Sequence, residues 1–191
     1  MMEGLRNIMK KRGLKSGRQK LLALAMLVPL AACASAAKPE AMQVTAQASD
    51  KAFPQPLQHA MCVRAVTGGE ETNPLWASKV DNKGFQSALG LSLDSAGLTA
   101  AGSSCSYPID VNLLGLSQPF AGFDLTVTSH VNYKVYDSSG QPFLLATIDA
   151  PFTATVSDAF AAVERLRLAN EGSIRTSIQQ FFDKLRDTKP K

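Results

Sequence analysis

The side chains able to act as thiol nucleophiles or soft metal ligands are few: Cys33, Cys62 and Cys105, with His59 and His130. A metal centre needs several such groups, or carboxylates, at ligand spacing, and no motif of that kind is present. No serine stands in a Gly-x-Ser-x-Gly elbow, and no glycine-rich phosphate loop precedes a helix. His130 falls among Thr126, Thr128 and Asn132 on the polar side of an alternating stretch. It reads as an exposed sheet histidine rather than a proton carrier in a cleft. Trp76, in a loop, reads as a residue closing one end of the core rather than a binding aromatic. The chain is therefore expected to be no enzyme, with no catalytic residues, cofactor or metal. The distinctive chemistry it offers is that of its thiols.

The charge pattern indicates where those thiols work. The 191 residues carry a formal net charge of +4, yet Met1–Ala32 holds seven basic residues against Glu3 alone, a net of +6. Cys33–Lys191 keeps 13 basic and 15 acidic residues, a net of −2. The basic character belongs to one end, which removes the electrostatic reason for nucleic-acid binding. After Lys20 comes an apolar run, Leu21–Leu30, and then small residues at Ala31, Ala32, Ala34 and Ala36. Basic region, short apolar core and small-residue zone in that order describe an export signal. Ten helical residues span about 15 Å, half of a ~30 Å hydrocarbon layer. An uncleaved anchor from Leu21 to about Ala37 and an ordinary cleaved signal are the alternatives. Met9 would give a signal of more usual length than Met1.

The stretch Leu30-Ala31-Ala32-Cys33 resembles the bacterial lipobox, in which Leu and two small residues precede a Cys. The resemblance implies that residues 1–32 are removed and that Cys33 is acylated as the first mature residue. Acyl chains anchor a soluble body because each buried methylene contributes about 0.8 kcal/mol. Ala34 and Ser35 follow Cys33. By resemblance to the sorting rule of enteric bacteria, the absence of an acidic residue there implies the outer membrane, with the body on its periplasmic side. Cys62 and Cys105 then form an even pair in an oxidising compartment, which points to a disulfide. Two buried free thiols remain the alternative.

Positioning these groups falls to the rest of the chain. Residues 33–57 are rich in Ala, Gln, Ser, Lys and Pro without sustained period, and read as a lipidated flexible tether. Residues 58–187 read as one α+β domain, and 188–191 as a disordered tail. Alternation predicts strands over His59–Val66, Tyr107–Leu116, Phe123–Tyr136 and Phe143–Val156. Phe123, Leu125, Val127, Val131, Tyr133 and Val135 share one face of the third. Pro151 predicts an edge position or a bulge for the fourth. Helical spacing of Phe85, Ala88, Leu89, Ser92 and Leu93 predicts a helix over Asn82–Ala96, capped by Asp81 or Asn82 and stopped by Gly97. A last helix, capped by Ser157 or Asp158, carries Phe160, Val163, Leu166, Ala169, Ile174, Ile178, Phe181 and Leu185, with Gly172 bending or dividing it. Its charges, Glu164, Arg165, Arg167, Glu171, Arg175, Lys184 and Arg186, read as largely solvated. The order β-α-β-β-β-α gives a mainly antiparallel four-stranded sheet with two helices on one face.

The lipobox, the pattern Phe85-x-x-Ala88-Leu89-x-x-Ser92-Leu93-x-x-x-Gly97-Leu98 and the ending Ile178-x-x-Phe181-Phe182-x-x-Leu185 together resemble the small outer-membrane lipoproteins of the YajG type. More loosely they are similar to ABC-transport auxiliary lipoproteins. The resemblance implies a non-enzymatic envelope protein that contacts an envelope protein or a lipid through its polar sheet face or a sheet edge. A lipid carrier, with an apolar cleft between sheet and helices, and an enzyme with an unrecognised site are the competing readings.

Overall fold

Strict alternation builds the centre of the sheet. In the computed structural model, which describes residues 33–47, 50–75, 77–102 and 105–190, β3 (Leu125–Tyr136) buries Leu125, Val127, Ser129, Val131, Tyr133 and Val135 and turns the intervening residues outward. It is flanked by β2 (Tyr107–Ser117) and β4 (Pro142–Ala154), both antiparallel to it. β1 (Met61–Thr67) pairs parallel with β2, so the sheet order is β1-β2-β3-β4. β4 is an edge strand and carries Pro142 and Pro151, where a missing N–H is tolerated.

A parallel pair needs a crossover, and α2 (Asn82–Ser95) supplies it between β1 and β2. Asp81 caps this helix, accepting from the Gly84 N–H at 2.8 Å. Gly97, at φ 67°, ends it, in the left-handed conformation that glycine adopts without a Cβ clash. α3 (Ala162–Arg186) packs beside α2 on the same sheet face. Between layers lie Phe85, Tyr133, Phe181 and Phe182, each no more than 1% exposed. Tyr133 stacks on Phe181 at 4.3 Å and bonds its hydroxyl to that of Ser177 at 3.0 Å. Burial pushes the Tyr133 phenol well above the ordinary tyrosine range.

Four expectations change. Residues 34–57 are not a free tether. α2 and α3 touch each other little, and the groove between them is filled by this segment, including the short helix α1 (Pro39–Met42). Met42 and Leu57 are fully buried, and Ala34, Ala37 and Val44 are 6% exposed. The Val44 and Ala46 N–H groups donate to Ser92 Oγ at 2.9 Å and Ser95 Oγ at 3.0 Å, so the segment is a strap. Second, α3 starts at Ala162. Asp158 instead accepts from the Thr155 N–H at 2.7 Å in the preceding turn, which leaves Phe160 outside the helix and 93% exposed. Phe123 likewise precedes β3 and is 85% exposed.

Third, Gly172 does not divide α3, which runs unbroken through it. A Cβ there would come within 2.2 Å of the Phe152 ring, so the glycine lets the helix lie directly on β4. Fourth, the α3 charges are not all solvated. Arg165, Arg167, Glu171 and Arg186 are all below 9% exposure, because the strap and the loops at the helix ends cover faces that sheet packing alone would leave wet. At the C-terminal end Thr188 donates its N–H to Leu185 O at 3.2 Å.

Candidate functional site

Among the described residues no helix lies on the outer face of the sheet, and its polar side chains come from alternate positions on all four strands. Arg64 of β1 meets Asp110 of β2 through two hydrogen bonds of 2.8 and 2.6 Å, and its guanidinium lies 4.4 Å from the centre of the Tyr136 ring. The Arg64 hydrogen bond holds the Asp110 carboxyl below its usual range, and Asp110 raises Arg64 in return. Beside this pair, Thr67, Asn112, Asn132 and Lys134 line an open, shallow groove across β1, β2 and β3. Its donors, acceptors and ammonium group suit a polar partner surface.

Further along the same face a row crosses three strands. Ser117 Oγ lies 2.9 Å from His130 Nε2, and His130 Nδ1 lies 2.7 Å from Asp149 Oδ1. Registry makes this possible, since His130 faces Asp149 across β3 and β4 and Ser117 ends β2 two residues beyond Gly115, the partner of His130. The connectivity is that of a hydroxyl, a base and a carboxylate that orients the base. The Asp149 side chain is 66% exposed, however, so water screens the support a buried carboxylate would give an imidazolium. The row ties β2, β3 and β4 together and presents an exposed imidazole. His59 takes no part: it precedes β1 at the other end of the sheet, with its N–H on Gly97 O.

Cys62 and Cys105 are joined by a disulfide, with Cα atoms 5.8 Å apart. They sit where the parallel β1–β2 pair begins, with Cys62 opposite Pro108. Cys33 is exposed and unpaired with another cysteine. Leu30, Ala31 and Ala32, and the rest of the segment predicted to be an export signal, lie outside the described residues, as does Trp76. Among the described residues no group of three or more His, Cys, Asp or Glu side chains is placed to hold a metal ion.

The backbone just after Cys33 is held firmly. The Ala34 N–H donates to Pro74 O at 2.9 Å and the Ala37 N–H to Lys79 O at 3.2 Å. The Lys38 N–H donates to Glu171 Oε1 at 2.8 Å. That carboxylate is also hydrogen-bonded to Arg167, which reaches Glu164 on its other side. The bond from Arg167 lowers the Glu164 carboxyl, and Glu164 in turn raises Arg167. Arg167–Glu171 is thus a pair one helical turn apart, buried rather than wet. Arg175 pairs elsewhere, donating to Ala41 O at 2.6 Å and lying 5.5 Å from the centre of the Phe152 ring.

The architecture defined by this sheet and helix layer is similar to that of a Xanthomonas campestris protein of family DUF330. The TM-score is 0.56 at 12% identity, over 80% of this chain and 94% of that one. A likeness at that identity establishes a shared fold. Fainter likenesses are to a minor lipoprotein from Acinetobacter baumannii, with TM-score 0.40, 12% identity and coverage of 69% and 93%, and to a lipoprotein from Neisseria meningitidis, with TM-score 0.40, 7% identity and coverage of 69% and 99%. No protein-family model matches the sequence, and no curated protein matches it.

Proposed function

We propose that this chain is a lipoprotein of the bacterial envelope, anchored through acyl chains on Cys33 at the periplasmic face of the outer membrane. There it acts as a non-enzymatic binding accessory. The observation that carries the binding role is the asymmetry of the sheet among the described residues: helices and strap close one face, and none of the described elements covers the other, largely polar face. The resemblance to YajG-type and ABC-transport auxiliary lipoproteins supports the same class of role. The Ser117–His130–Asp149 row belongs to this open face as a recognition surface. A lipid carrier would need an apolar cleft between sheet and helices, and Phe85, Tyr133, Phe181 and Phe182 fill that space.

Photo-crosslinking in intact envelopes tests the reading. Crosslinking residues placed at Asn112 and Asn132 on the open face are expected to give the same discrete adduct, absent when the residue is placed at the exposed Gln86 of α2. No adduct from the sheet face, or the same adduct from Gln86, contradicts a partner bound there.

A further inference from the structure

Among the described residues, one end of the domain gathers every loop that carries an almost fully exposed large apolar side chain. β1 and β2 end there, as does β4, while β3 and both long helices begin there. Phe120 and Phe123 lie in the β2–β3 loop and are 109% and 85% exposed, Phe160 in the β4–α3 loop is 93% exposed, and Leu75 in the β1–α2 loop is 84% exposed. Exposed apolar groups collected in one region mark a contact surface.

The loops are fixed to one another. The buried Arg165 guanidinium donates to Ala159 O at 2.8 Å and Phe160 O at 2.6 Å, and reaches Gly122 O at 3.5 Å. Gln118 Nε2 donates to Ser78 O at 3.0 Å, joining the β2–β3 loop to the β1–α2 loop. The phenylalanines are therefore presented by a braced platform.

Cys33 leaves the domain at this same end. Its neighbour Ala34 is bonded to Pro74, next to Leu75, and from there the strap runs away along α3 to Ala41 and on to Ser92 and Ser95 of α2. A flexible tether would let the body stand off from its anchor in any orientation. Here no slack exists between the cysteine and the folded surface.

We infer that the Leu75, Phe120, Phe123 and Phe160 end is a membrane-docking surface that inserts these side chains into the phospholipid layer carrying the Cys33 anchor. The inference rests on the lipoprotein reading, and it sets an orientation: the sheet and helices stand upright on the bilayer, with the hairpin at Asp137–Gly140 and the disulfide farthest from it. The three loops carry Glu70, Glu71, Asp81, Asp124 and Asp158 against Lys79 alone. Asp81 and Asp158 are engaged in capping α2 and the Thr155 turn. Docking is consequently apolar and gains nothing from anionic lipid.

Tryptophan quenching tests this in the full chain with Trp76→Phe as background. Phe123→Trp, Phe160→Trp and, as a control on the outer part of β4, Leu145→Trp are each reconstituted in zwitterionic vesicles whose acyl chains are brominated near the headgroup. Quenching of about twofold is expected for Phe123→Trp and Phe160→Trp, little for Leu145→Trp, and no increase with phosphatidylglycerol present. Equal, weak quenching at all three positions overturns the docking surface. Intact mass of the same samples separates the two ideas. An acylated chain without quenching retains the anchor and loses the docking surface. An unacylated chain quenched on adding vesicles retains the surface and loses the anchor. An unacylated chain without quenching loses both.

Discussion

Replacing Cys62 and Cys105 together by serine is expected to lower the free energy of unfolding by about 4 kcal/mol. The disulfide joins residues 43 apart in sequence. The loop it closes contains β1 and α2, and cross-linking removes the entropy of that loop from the unfolded chain. Its place in the fold adds to the effect. β1 is an edge strand, held to β2 by a parallel ladder and to the rest of the chain by a crossover. Domains of this kind have about 5–15 kcal/mol in total, so the double variant loses a large part of its stability. Urea unfolding of oxidised wild type against the double variant measures the loss. A change below about 1 kcal/mol would place the stability of the β1 edge in side-chain packing alone.

Met42→Ala is expected to cost about 3 kcal/mol, within the range for truncating a fully buried methionine. Met42 is 0% exposed and belongs to the main core cluster with Phe85, Phe181 and Phe182. The same substitution in a solvated tether would change stability by less than about 0.5 kcal/mol. Thermal or urea unfolding of the variant therefore separates a strap from a tether. A near-neutral result would return residues 34–57 to the role that their composition implies.

Local pattern carries some of this fold and not the rest. β3 was legible because its alternation is nearly unbroken and one face is buried throughout. The Asp81 cap, Gly97 stop and β4 edge were legible because the residue types act locally. The strap was not, since its burial is set by a groove between two helices distant in sequence and its own residues have no period. The buried state of Arg167 and Glu171 depends on that same strap and was hidden for the same reason. His130 could be placed on a polar face, but Ser117 falls beyond the strand predicted to end at Leu116, and which residues meet depends on strand register and on the shift in pairing between Leu113 and Gly115. Alternation places Phe123 on the inward face of the third strand, and helical spacing places Phe160 on the inward stripe of the last helix. Their exposure depends on where β3 and α3 begin, and element ends are the least regular part of any pattern.

The disulfide lies between these cases. Counting cysteines selects Cys62 and Cys105 only after Cys33 has been set aside, and the parallel β1–β2 pairing brings the two together. The fold thus supplies what the count lacks, namely proximity.

The proposed role depends above all on Cys33 being the lipid-bearing first residue of the mature protein. Mass spectrometry of the intact protein extracted from bacterial membranes measures this without an intermediate step. The expected species is a chain that begins at Cys33 and carries the added mass of a diacylglyceryl group and a further acyl chain, with none of that lipid on a Cys33→Ala variant. A chain that retains residues 1–32, or one that begins near Cys33 with an unmodified thiol, would contradict it.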